Sequence, residues 1–184
     1  MAYKNKVIIN IVTGQEIKFL QTSEDTAGKL LEMESTYNSR SKEPAPHYHP
    51  YQEEDFKVIS GELTVRMGGE AIRTLKAGDS LHISVNKVHS MWNAGEGKTV
   101  VNWQVRRALN TEHLLETMIG LAADGRTNSE GMPNILQIAL TAGKFSNTLR
   151  LATPSFAVQS ILFSILKPIG WLLGYRPTYQ KYLD

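Results

Sequence analysis

His47-Tyr48-His49-Pro50-Tyr51-Gln52-Glu53-Glu54-Asp55-Phe56-Lys57-Val58-Ile59-Ser60-Gly61 places two histidines, a cluster of acids and an alternating apolar run ahead of a glycine. On a strand, residues i and i+2 share a face with their Cα atoms about 7 Å apart, so His47 and His49 can converge on one ion. A carboxylate from the next turn would complete a facial set of imidazoles and oxygen. Further along, Gly78-Asp79-Ser80-Leu81-His82-Ile83 and Asn86-Lys87-Val88-His89, ending at Asn93, can bring a third imidazole from a neighbouring hairpin.

Around these two runs, residues 1–107 read as short strands separated by turns. Val7–Val12 and Glu16–Gln21 flank Thr13-Gly14 as a hairpin. Leu30–Tyr37 is extended in character, and a polar loop with two prolines covers Asn38–Pro46. Glu54–Ser60, Leu63–Met67, Ala71–Leu75, Leu81–Ile83, Val88–Trp92 and Thr99–Val105 complete the series. Strands recurring every 8 to 12 residues with glycine-rich turns suggest a sandwich or barrel. In such a fold Glu54, Phe56 and Val58 form an inward face with one carboxyl, whereas Glu53, Asp55 and Lys57 are all charged and face out. That alternation favours Glu54 over Glu53 as the carboxylate beside the imidazoles.

After Arg107 the period changes. Asn110 or Thr111 can cap a helix with apolar positions Leu114, Leu115, Met118, Leu121 and Ala122, stopped at Asp124-Gly125. Pro133 opens a second helix to about Gly143. Thr153-Pro154 serves as N-cap and N1 of a third, which Pro168 is expected to break.

The first histidine run resembles the first motif of the cupin superfamily: His-x-His, four residues, Glu, six residues, Gly. The second resembles that family's second motif, with Gly78, His89 and Asn93 in register. Ser84 stands where the family has Pro and Asn86 where it usually has Gly; Asn tolerates the left-handed backbone that Gly supplies. The resemblance covers roughly residues 30–107. It implies a mainly β fold, a double-stranded β-helix (jelly-roll) barrel over 1–107. Residues 108–184 form a C-terminal extension of about three helices, packed on the barrel or on a second subunit. It also implies one divalent transition metal held by His47, His49, Glu54 and His89, with Fe, Mn, Ni, Cu and Zn all compatible with such donors.

Alternation turns Phe56, Val58, Leu63, Val65, Met67, Met91, Val101, Trp103 and Val105 inward, either to line an apolar pocket around the ion or to fill the barrel core. Such a pocket suits a small, largely apolar organic molecule, so a metal-dependent enzyme of oxygenase or isomerase type is expected, although no general acid or base besides the ligands can be named. Two alternatives stand beside it. One is a non-catalytic small-molecule-binding or sensing protein. The other is a membrane-peripheral protein anchored by the C-terminal helices, whose run Phe156–Leu173 is the most apolar in the chain. His82 and His113 read as surface residues, and Tyr48 and Tyr51 as loop tyrosines.

Composition narrows the partners. Charged residues make up 21% of the 184 and the net charge is only +2, with no basic block, so nucleic-acid binding has no support. The chain has no cysteine, which excludes thiolate ligands and disulfides. No apolar stretch of signal-peptide length opens the sequence, so a cytoplasmic protein is expected, forming a homodimer.

Overall fold

The computed structural model describes residues 2–183. Two antiparallel sheets form a β-sandwich, and three helices follow. The six-stranded sheet runs in the order β1 (Val7–Ile9), β2 (Glu16–Gln21), β3 (Leu31–Tyr37), β10 (Thr99–Arg106), β5 (Glu53–Ser60), β8 (Ser80–Ile83). The five-stranded sheet is ordered β11 (Arg150–Leu151), β4 (His47–Tyr48), β9 (His89–Trp92), β6 (Glu62–Met67), β7 (Arg73–Lys76).

Alternation explains the strands. On β5, Glu54, Phe56 and Val58 are buried while Glu53 and Lys57 are exposed. Phe56, Val58, Leu63, Val65, Met91 and Val101 pack with Leu81 and Ile83 into one core between the sheets. Leu31, Met33, Phe19, Ile17 and Val105 form a second core. Removing each of these side chains from water stabilises the fold by roughly 2 kcal/mol. Gly61 turns the chain from β5 to β6 at φ +77°, and a Cβ there would collide with the carbonyl oxygen of Lys98, so only glycine fits. Asn86 adopts φ +62°, the left-handed conformation expected of it. The strand anticipated through Val12 ends at Ile9, because the Asn10 side chain accepts from the backbone N–H groups of Val12 and Thr13 and folds the chain into a turn.

The helices are α1 (Thr111–Ala123), α2 (Ile135–Lys144) and α3 (Phe156–Leu172). The buried face of α1 includes two acids. Glu112 accepts from the N–H and hydroxyl of Ser23, and Glu116 pairs with Lys6 at 2.7 Å. Asn134 caps α2, accepting from the N–H groups of Leu136 and Gln137, so the helix begins two residues after Pro133. Ser155 rather than Thr153 stands at the N-cap of α3. Pro168 does not break that helix. The carbonyl it leaves unbonded belongs to Ser164, and both residues face solvent, where water replaces the lost bond. Through Gln159, Phe163 and Gly170, α3 turns its buried side inward, with Gly170 close against Leu140 of α2. Val158, Ile161, Ile165, Ile169 and Leu172 point outward as an exposed apolar stripe. Among the described residues no helix is long and apolar enough to cross a membrane.

Candidate metal centre

The five-stranded sheet brings the histidines of the two motifs together on β4 and β9. His47 lies on β4 directly opposite His89 on β9, and the two rings are 4.5 Å apart. His49 follows β4 and stacks near His89, with ring centroids 5.4 Å apart. The three imidazoles offer ligand atoms that all lie within 4.8 Å of one another. Glu54 reaches across from β5 in the other sheet. Its Oε2 is 3.2 Å from His49 Nε2 and 3.0 Å from His89 Nε2, so the carboxylate adjoins the triad through these two rings rather than through His47. His49, Glu54 and His89 are buried, and His47 is half-buried.

Each ring is clamped from behind. Nδ1 of His47 donates to the carbonyl of Ala45 at 3.2 Å, Nδ1 of His49 to that of Thr148 at 2.6 Å, and Nδ1 of His89 to that of Lys87 at 2.9 Å. A carbonyl only accepts, so all three Nδ1 atoms carry hydrogen and every Nε2 lone pair is free to bind a cation. Such a bond behind a ligating imidazole is what fixes its tautomer and orientation in metal sites. Glu54 is held likewise: the Trp103 indole N–H donates to its Oε1 at 2.9 Å, leaving Oε2 to face the rings.

The donor set suits a metal ion. His49 Nε2, His89 Nε2 and Glu54 Oε2 are buried and have no hydrogen-bond partner, although they lie about as close as hydrogen-bonded atoms. Three buried donor atoms gathered in this way without bonding one another are a set that a cation would satisfy. Two donors about 2.1 Å from an ion and at right angles lie about 3.0 Å apart, against about 3.4 Å in a tetrahedron. The observed separations of 3.0 and 3.2 Å fall within the span of these two arrangements.

Electrostatics follow from this crowding. Burial, reinforced by His89 and His49, pushes the pKa of His47 down to about 3, so the ring is neutral. Burial also opposes charge on His49, but the Glu54 carboxylate outweighs it and raises that pKa. For Glu54 burial favours the neutral acid, yet His49 and His89 hold the carboxyl well below the usual carboxylate range.

The residues expected to line a pocket occupy several places. Phe56, Val58, Leu63, Val65, Met91 and Val101 fill the first core, with Met67 and Trp103 packed against it and Val105 in the second. His82 is exposed and hydrogen-bonds Asp55 at 2.8 Å, and Tyr51 is exposed. A cavity of about 240 Å³ opens instead against His47, between β11, α1 and α2. Sequence reasoning did not foresee this cavity, the Trp103 bond to Glu54 or the Thr148 carbonyl. Trp103 carried the one usable signal, since an inward indole must place its N–H on an acceptor.

Comparison with known proteins agrees with this architecture. The cupin domain family matches residues 33–105. "Probable oxidoreductase virH" of Hypocrea virens is 26% identical over 151 residues, covering 76% of this chain and 67% of the relative. "Probable oxidoreductase patJ" of Penicillium expansum is 26% identical over 157 residues, 78% of this chain and 47% of its own length. "Quercetin 2,3-dioxygenase" of Bacillus subtilis is 30% identical over 81 residues, 44% of this chain and 23% of the enzyme. The matched stretch thus spans less than half of the patJ protein and under a quarter of the dioxygenase. Residues 33–105, which include the triad of His47, His49 and His89 and strands of both sheets, thus carry a cupin domain.

Proposed function

We propose that this cupin is a metal-dependent enzyme of oxygenase or isomerase type, acting on a small, largely apolar organic molecule, with His47, His49, Glu54 and His89 holding one divalent transition metal ion. The observation that carries this reading is the set of three imidazoles whose Nδ1 atoms are all spent on backbone carbonyls while the Nε2 atoms of His49 and His89 stay buried and unpartnered beside Glu54. Mixed imidazole and carboxylate donors suit Fe, Mn, Ni, Cu or Zn. When bound, such an ion polarises a substrate oxygen or activates dioxygen. The oxidoreductase and dioxygenase names of the relatives support the oxidative branch.

The chain's own residues orient and desolvate. Ala45, Thr148 and Lys87 fix the rings, Trp103 fixes the carboxylate, and burial of His49, Glu54 and His89 strengthens every charge interaction at the centre. Non-catalytic capture of a small molecule is the second reading. It is favoured because, among the described residues walling the cavity at His47, none carries a carboxyl, amine or phenol to move a proton.

Elemental analysis of the purified chain and of His47→Gln and His89→Gln tests the ligand set, with circular dichroism checking the fold. One equivalent of metal in the parent and loss from both variants is expected; equal content in all three overturns the assignment. Substrate-dependent oxygen uptake then separates oxygenase chemistry from isomerisation.

A further inference from the structure

We propose that the cavity between the C-terminal helices and the His47 ring is the substrate chamber, and that it takes a neutral, apolar molecule of about ten non-hydrogen atoms. This deepens the metal-enzyme reading and rests on it for what happens at the imidazoles, but not for binding itself.

Position and chemistry carry the inference. The cavity of about 240 Å³ is walled by Leu115 and Met118 of α1, Ile138 of α2, Phe145 just past its end and Leu151 of β11, and His47 forms part of its wall. Its polar members are already engaged. The Thr141 hydroxyl donates to the carbonyl of Pro177 and accepts from Gln137 Nε2, and His47 Nδ1 donates to Ala45. No charged side chain lines it among the described residues. In the metal-free chain a ligand with a charged group would therefore leave water without gaining a partner, which weakens binding by one or more orders of magnitude.

Size follows from volume. A dry cavity of about 150 Å³ accommodates benzene, so 240 Å³ suits about ten carbons, the scale of two fused rings. Rival spaces fit less well. Phe56, Val58, Leu63 and Val65 fill the space between the sheets. A larger cleft of about 390 Å³ mixes Arg40, Lys42, Glu43 and Glu130 with Tyr37 and Met91, and has none of the three imidazoles in its wall.

Naphthalene and 1-naphthoate titrated into the full chain, with and without bound metal, test the chamber. Saturable one-to-one binding of naphthalene is expected, with naphthoate at least tenfold weaker in the metal-free chain. Ala142→Phe fills the chamber and lowers naphthalene affinity at least tenfold while metal content stays at the parent level. Met118→Ala enlarges it and shifts preference toward 1-ethylnaphthalene; this variant decides the matter should Ala142→Phe not fold. Normal metal content with no naphthalene binding, or naphthalene affinity unchanged by both substitutions, overturns the chamber and leaves the metal centre standing. Naphthalene binding with these responses in a chain that takes up no metal upholds the chamber and overturns the metal centre instead.

Discussion

The Trp103 indole nitrogen on β10 donates to Glu54 Oε1 on the neighbouring strand β5, 2.9 Å away, while its ring stacks on Phe56 with centroids 5.7 Å apart. One side chain therefore fills the core and aims the carboxylate. Trp103→Phe keeps most of the packing and removes the donor. Partners behind a metal ligand typically contribute 10–100-fold in affinity, so a chelator-competition titration should show metal affinity reduced by that factor with the circular dichroism spectrum retained. Unchanged affinity would make the bond to Glu54 incidental.

Stability of the metal-free chain should peak slightly below neutral pH. His47 stays neutral in the fold down to about 3, whereas in the unfolded chain it takes up a proton below about 6.5, so acidification favours unfolding across that window. Glu54 acts in the same direction below about 4.5, because its folded pKa is depressed. His49, with a raised folded pKa, contributes stability that is complete below about 6.5 and is lost as pH rises through its folded value. Denaturant melts from pH 4 to 9 check this. His47→Gln should reduce the acid-side slope, to which one proton contributes at most about 1.4 kcal/mol per pH unit.

On α3 the two faces should respond oppositely to substitution. Phe163 is 7% exposed and Ile161 67% exposed. Phe163→Ala is expected to destabilise by about 3 kcal/mol, and Ile161→Glu to change stability by no more than about 0.5 kcal/mol in dilute solution. Urea titrations of both variants measure the contrast. A large loss from Ile161→Glu would show that the outward stripe is covered in solution.

Much of the β half was legible because its signal is periodic. Glu53 to Val58 alternate charge with bulk, and that pattern alone separates Glu54 from Glu53. Asn86 was legible because few residues occupy a left-handed turn. Alternation marks which residues point inward, but it does not distinguish a filled interior from a hollow one, so Phe56, Val58, Leu63 and Val65 carry the same signature whether they pack or line a pocket. The acids buried on α1 were hidden because their partners, Ser23 and Lys6, are some ninety to one hundred and ten residues away. Two-residue β11 is too short for any pattern, and the Thr148 carbonyl has no side-chain signature at all.

That carbonyl ties two regions of the molecule into one thermodynamic unit. His49 is oriented by main-chain oxygen from the segment joining α2 to β11, and β11 is itself a strand of the sheet that carries His47. Loosening of the last forty or so residues would release the His49 ring before the sheets themselves part. By reciprocity, whatever grips His49 tightens this appendage by an equal free energy, so protection of α2 and β11 amides from hydrogen exchange reports occupancy of the imidazole centre.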